Sequence, residues 1–211
     1  MNLPVIILGA GGHAKVLVEV LLKSGKVIAG IVDPDLTLVG TNILGVPVLG
    51  CDEVVNGYST TDFHLVNGLG SVSVPLKRQQ LFDRFKAFGY VFATVIHPSA
   101  IIASDVVLSE GTQLMAGTVI QPGCRIGINS IINTRASVDH DCIIGDHVHV
   151  TPGVTLSGGV SVGSRSHIGT GATVIQGISI GIGCLIAAGS VVTKDVCDGA
   201  KVRGVPAREF A

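Results

Sequence analysis

The chain has 211 residues, 47% of them hydrophobic, 29 glycines and a formal net charge near −1. It is long enough for one large domain or two small ones and can bury a sizeable core. The balanced charge, with no lysine between Lys86 and Lys194, argues against a phosphate-tracking nucleic-acid surface.

The opening MNLPVIILGAGG carries no basic region before its apolar run and no cleavage pattern, and no apolar run reaches membrane-spanning length. The expectation is a cytoplasmic protein without membrane insertion. Val5 to Leu8 reads as a buried strand ending in Gly9-Ala10-Gly11-Gly12. His13 then opens a helix to about Lys23 with Val16, Leu17, Val20 and Leu21 on one face, closed by Gly25. A second strand, Val27 to Val32, ends in Asp33. Strand, glycine turn, helix, strand and terminal acid form half of a nucleotide-binding α/β unit, although the glycines do not complete GxGxxG. Asp33-Pro34-Asp35 also reads as a simple turn.

Residues 43–50 predict a short strand or ribbon. Phe63 to Val66 predicts another strand, running into Asn67-Gly68-Leu69-Gly70. From Pro75 an amphipathic helix turns Leu76, Leu81, Phe82 and Phe85 inward and stops at Gly89; a last strand covers Tyr90 to Val95. The pattern predicts a small α/β domain of about four parallel strands over 1–94. No flexible linker follows it, so a ligand groove is expected at the junction.

From Ile96 to Val192 every sixth residue is aliphatic without an insertion. A period of six fits neither a helix nor simple strand alternation. It calls for a solenoid of short strands and turns, three to a coil of eighteen residues, forming a parallel β-helix over 95–196. The period alone does not fix its hand. Beyond Val192 the pattern breaks, and 197–211, with Gly204 and Pro206, reads as a capping segment that leaves the axis.

Five cysteines, Cys51, Cys124, Cys142, Cys184 and Cys197, show no CxxC or Cys/His cluster. Neither a disulfide framework nor a structural zinc is indicated, and Cys124 and Cys142, eighteen apart on adjacent coils, are expected as small reduced core residues. Four of seven histidines fall in the middle of the solenoid: His140, His147, His149 and His167. His140 lies between Asp139 and Asp141, two places after the inward Val138, so it is expected at a surface corner. A histidine beside a carboxylate is a minimal general base, because the acid fixes the tautomer and raises basicity. An ordinary surface or interface histidine is the other reading. His149 and His167 are eighteen apart and predict one stacked column pointing outward or along an edge. They do not compel a metal site. Ser157-Gly158-Gly159 bares backbone at a corner, as a ligand contact or merely a tight turn.

The hexapeptide repeat, HDCIIGD (140–146), IAAGSVVTKDV (186–196) and the terminal RGVPAR resemble the bacterial hexapeptide-repeat sugar acyltransferases. GAGGHAK (9–15) and IHPSA (96–100) narrow the resemblance to the nucleotide-amino-sugar N-acetyltransferases and the sialic acid O-acetyltransferase-like proteins, over essentially the whole chain. It implies a left-handed β-helix, a homotrimer, and acetyl-CoA lying between two solenoids without a metal. It further implies acetylation of a nucleotide-linked amino sugar for surface glycan synthesis; a hydroxyl acceptor, as in sialic acid, is the alternative.

On this resemblance His140 matches the catalytic base and Asp141 its partner. His149 matches a residue near the thioester, Gly158 a backbone contact to the cofactor, and Ala187, Ala188 and Gly189 the coil near the pantetheine arm. Arg203 and Pro206 fall at its adenine and phosphate end. Gly11, Gly12 and His13 match the loop facing the nucleotide, Asp33 the acid read by base or ribose, and Asn67 and Gly68 the next loop of that site.

Overall fold

The structure, a computed structural model, describes residues 3–210. Of the expected domain ranges, Met1, Asn2 and Ala211 lie outside the described residues. The N-terminal part is built from β1 (Val5–Leu8), α1 (Gly12–Lys23), β2 (Ile28–Val32), β3 (Asn42–Ile43), β4 (Val46–Gly50), β5 (His64–Asn67) and α2 (Leu76–Ala87). The sheet runs in the order β3-β4-β2-β1-β5, with β4, β2, β1 and β5 parallel and β3 a short antiparallel edge on β4.

β1 sits near the middle of the sheet, and Val5 to Leu8 are all buried, as a continuous apolar run demands. Its two faces feed two cores: Val5 and Ile7 pack with α1, Ile6 and Leu8 with Phe82 and Phe85 of α2. The helix faces differ in detail from the sequence reading. α1 buries Val18 and exposes Val16, and in α2 the first-turn Leu76 is exposed while Arg78 is buried. Tyr90 to Val95 is not a strand. Phe92 makes one bridge to Leu65, and Val95–Ile96 already forms the first rung of the solenoid.

From there the chain climbs as a left-handed parallel β-helix. One face stacks Ile101–Ile102, Val119–Ile120, Ser137–Val138, Thr155–Leu156, Thr173–Val174 and Val191–Val192. The second begins at Val107–Leu108 and ends at Ser179–Ile180. The third runs from Val95–Ile96 through Gln113–Leu114, Ile131–Ile132, His149–Val150 and His167–Ile168 to Leu185–Ile186. Each rung pairs in parallel with the residue eighteen places on, as Ser137 does with Thr155 and His149 with His167.

The sixth-residue aliphatics make one continuous core from Leu114 to Val192; Ile96, with no rung beneath it, remains exposed. Lys201–Arg203 adds another parallel rung on Leu185–Ile186 before the turn at Gly204 and Pro206, and Arg208–Glu209 folds back antiparallel. The expected departure from the axis therefore begins one rung later than the broken pattern indicates.

From Leu108 to Ile186 the third residue after each inward aliphatic adopts a left-handed backbone. Glycine fills that corner at Gly111, Gly117, Gly123, Gly153, Gly159, Gly171, Gly177, Gly183 and Gly189. Asn129, Arg135, Asp141, His147 and Arg165 occupy it with φ between 54° and 63°. Side chains at such positions cost about 1–2 kcal/mol each. Most of these exceptions fall in the middle coils, beside the histidines.

Candidate active site

The left-handed corner at Asp141 has a chemical use. It brings the carboxylate Oδ2 to 2.8 Å from His140 Nδ1, while the His140 backbone N–H donates to Asp139 Oδ1 at 2.7 Å. Both side chains of the pair are open to solvent. The hydrogen bond to Asp141 holds the His140 pKa above its ordinary value, and it places the neutral ring's proton on Nδ1. Nε2 is then the free basic atom.

That ring lies over Gly158 in the next coil, where a Cβ would collide with His140 Nε2 and Cε1. The bare corner is needed to seat the imidazole. The Gly159 N–H donates to the His140 carbonyl at 2.8 Å, tying the two corners together.

A groove of about 950 Å³ opens where the α/β part meets the third face. Gly11, Gly12, His13 and Gly68 form one wall, and His149, Ala187 and Ala188 are on the other. Its lining contains no lysine, arginine, aspartate or glutamate. Gly11 caps α1 with no side-chain bond, so the first helical N–H groups are available to an anion. A smaller hollow of about 360 Å³ flanks the same turn and adds Lys15 and Asn42, which the sequence reading missed.

The stacked histidine column forms as expected, with the rings of His149 and His167 5.3 Å apart. It is not at an open edge, however. The α/β loop after β5 covers it: Ser71 Oγ lies 2.8 Å from His149 Nδ1 and 3.2 Å from His167 Nδ1. Both rings are buried. Burial pushes the pKa of His167 down to about 4 and that of His149 well below its ordinary value. His13 is likewise pushed to about 4, its Nε2 bonded to Gln113 Oε1 at 2.8 Å.

Asn67 and Asp33 are turned to internal work. Asn67 is buried, its side chain bonded to Arg78 O, Asn129 Oδ1 and the Leu69 N–H. Asp33 accepts from the Ala10 N–H at 2.6 Å and the Asp35 N–H at 2.9 Å, so the turn and the glycine loop share one carboxylate. Arg78, wholly buried, donates to Asn67 O, Leu69 O and Asn129 O and so joins the loop to the solenoid. Burial lowers its pKa to about 9, which leaves it charged at neutral pH. Ser71, Arg78, Gln113 and Asn133 had no signal in the sequence, because their importance arises only where the two parts meet.

His140, Asp141, Gly158, Gly189, Arg203 and Pro206 do not line the groove of their own chain. His140 stands at the corner between the first and second faces, whereas the groove lies over the third face and its corner with the first. Arg203 is at the far end, its guanidinium 4.8 Å from the Phe210 ring centre, with Pro206 exposed beyond it. Cys124 and Cys142 are stacked, buried and free, their thiols directed at the carbonyls of Asp139 and Ser157. Among the described residues no group of three or more His, Cys, Asp or Glu is arranged to hold a metal ion, and no helix is long and apolar enough to cross a membrane.

Residues 4–85 match the family model of the PglD N-terminal domain. The chain superimposes with TM-score 0.92 on a histidine-to-asparagine variant of perosamine N-acetyltransferase from Caulobacter crescentus, in complex with CoA and GDP-perosamine. The two are 40% identical over 99% of this chain and 97% of that one. The acetyltransferase domain of PglB from Neisseria gonorrhoeae, in complex with acetyl coenzyme A, gives TM-score 0.92 at 34% identity, covering 100% of both chains. GDP-perosamine N-acetyltransferase of Escherichia coli O157:H7 is 29% identical over 159 residues, 73% of this chain and 70% of that protein. Solenoid, junction groove and matched structures define a hexapeptide-repeat acyltransferase. Within that class, the chain belongs to the family of N-acetyltransferases that modify nucleotide-linked amino sugars.

Proposed function

We propose that this protein transfers the acetyl group of acetyl-CoA to the amine of a GDP-linked amino sugar of the perosamine type, in the synthesis of a surface glycan in the cytoplasm. The observation that carries the reading is the groove itself, walled on one side by the glycine turn of a nucleotide-binding unit and on the other by stacked solenoid corners. Relatives at 40% and 34% identity, one holding CoA with GDP-perosamine and the other acetyl coenzyme A, support it.

In this reading the α1 N-terminus and Lys15 hold the phosphates, and Gly11, Gly12, His13 and Gly68 face the nucleotide, with Asp33 and Asn67 shaping that loop from behind. The acyl-pantetheine arm lies along His149, Ala187 and Ala188 towards Gly189, where the wall is neutral. Gly158 supplies close backbone approach, and Arg203 and Pro206 lie at the adenine and phosphate end. His140 Nε2 removes a proton as the sugar nitrogen attacks the thioester carbon, Asp141 steadies the imidazolium, the carbon–sulfur bond breaks and CoA leaves as the thiol.

His140 and the groove lie at different corners of one chain, so a base from one subunit working in its neighbour's groove completes the site. Outward Ile101, Val107 and Ile143 on the first two faces supply apolar contact for the homotrimer this requires.

The test is thiol release from acetyl-CoA with purified protein and a panel of GDP-, UDP- and dTDP-linked 3-amino and 4-amino sugars beside free sialic acid. Release is expected with the GDP-linked 4-amino sugar. Release with sialic acid alone would replace the amine acceptor by a hydroxyl, and a monomer in sedimentation would remove the shared site.

A further inference from the structure

The buried histidine column has a direction that the hydrogen bonds around it fix. Asn133 Oδ1 accepts from the Thr134 N–H at 2.7 Å, which leaves its Nδ2 facing His149 Nε2 at 3.0 Å. An amide nitrogen only donates, so His149 Nε2 is an acceptor. Burial keeps His149 and His167 neutral at pH 7, and a neutral imidazole has one proton. In His149 that proton is therefore on Nδ1, where it is donated to Ser71 Oγ at 2.8 Å.

Ser71 has one hydroxyl proton of its own, and its other neighbour is His167 Nδ1 at 3.2 Å. His167 Nδ1 accepts it, which puts the His167 proton on Nε2. That nitrogen has no hydrogen-bond partner among the described residues, and the one buried side-chain N or O atom among them left unpaired is Arg78 Nη2. His167 Nε2–H thus opens on the groove that His167 lines.

We infer that His167 is a further cosubstrate-binding residue, whose Nε2–H, aimed by Asn133, His149 and Ser71, donates a hydrogen bond to a carbonyl oxygen of the acyl-pantetheine arm. The wall around it, Thr151, Pro152, Gly169, Thr170, Ala187 and Ala188, is uncharged. A neutral donor on a neutral wall suits an amide or thioester carbonyl and does not suit a phosphate. Of the two stacked rings His167 carries the free N–H, because that of His149 is spent on Ser71. The inference rests on the reading that acetyl-CoA occupies this groove.

Two measurements test it. Long-range proton–nitrogen correlation spectra of the full-length protein, at pH 7, are expected to show His167 protonated on Nε2 and His149 on Nδ1. His167 protonated on Nδ1 would overturn the relay. Calorimetric titration with CoA and acetyl-CoA is expected to show His167→Phe, which keeps the ring and its packing, binding about tenfold more weakly, the scale of one hydrogen bond. His167→Gln, whose amide N–H falls near the Nε2 position, is expected to recover most of that loss, with thermal melting confirming that both variants fold. If the wild type binds acetyl-CoA and His167→Phe binds it equally well, this inference fails alone. If the wild type does not bind it, the proposed function fails and the inference with it.

Discussion

His140 and His167 occupy the same repeating scaffold, yet the molecule gives them opposite properties. His140 is on an open corner, and its one close partner is a carboxylate, so its basicity rises. His167 is on a flat face beneath the α/β loop, where burial suppresses its charge and a serine fixes its tautomer. The solenoid supplies positions in a regular array. What stands over each position decides whether an imidazole becomes a proton acceptor or a neutral donor.

The largest expected effect comes from removing what closes the buried side. Arg78→Leu leaves Leu69 O and Asn129 O without that donor and is expected to cost roughly 2–5 kcal/mol, read as a lower urea midpoint. An unchanged midpoint would show that the loop stays over the histidines without it. On the open side, His140→Ala should lower kcat by roughly 10²-fold or more while melting and acetyl-CoA binding persist. Full turnover in that variant would make His140 an ordinary surface histidine.

Acid separates the two regions next. His13 and His167 have folded-state pKa values near 4, below the ordinary 6.5, so between those limits the unfolded chain binds more protons and stability falls as pH falls. A loss on the order of 2 kcal/mol for each ring is expected between pH 6.5 and pH 4, measured by denaturant titration at each pH. His140 adds nothing to this loss, since its shift has the opposite sign. A stability that holds level across that range would mean that burial does not keep these rings neutral.

The smallest effect is on the corner itself. Gly158 has no left-handed backbone to protect, so Gly158→Ala is expected to fold normally, displace the His140 ring and reduce kcat by about tenfold. An unaltered kcat would show that the ring does not need its seat on the glycine.

The solenoid was legible because its period repeats the same local solution: inward aliphatic, corner, next face. Even the exposure of His140 followed from its place two residues after Val138. The α/β part was legible as elements and less so as faces, as Val16, Leu76 and Arg78 show. Amphipathic spacing tells which residues can share a side, but which side is covered depends on what packs there. Arg78 is absent from the face that the spacing turns inward, yet it is buried, its donors taken by three carbonyls at the junction. The same limit hid Ser71, whose hydroxyl gains a role from two rings 78 and 96 residues away.

The sequence by itself determined the coil, its eighteen-residue register, the pairing of His140 with Asp141 and the vertical alignment of His149 with His167, all of which are short-range or periodic relations. Only the tertiary structure decided that the aligned pair lies buried under the α/β loop at the groove wall and that His140 stands a corner away from the groove. Burial and hydrogen-bond direction are properties of what two distant segments bring together, and no spacing along one chain encodes them.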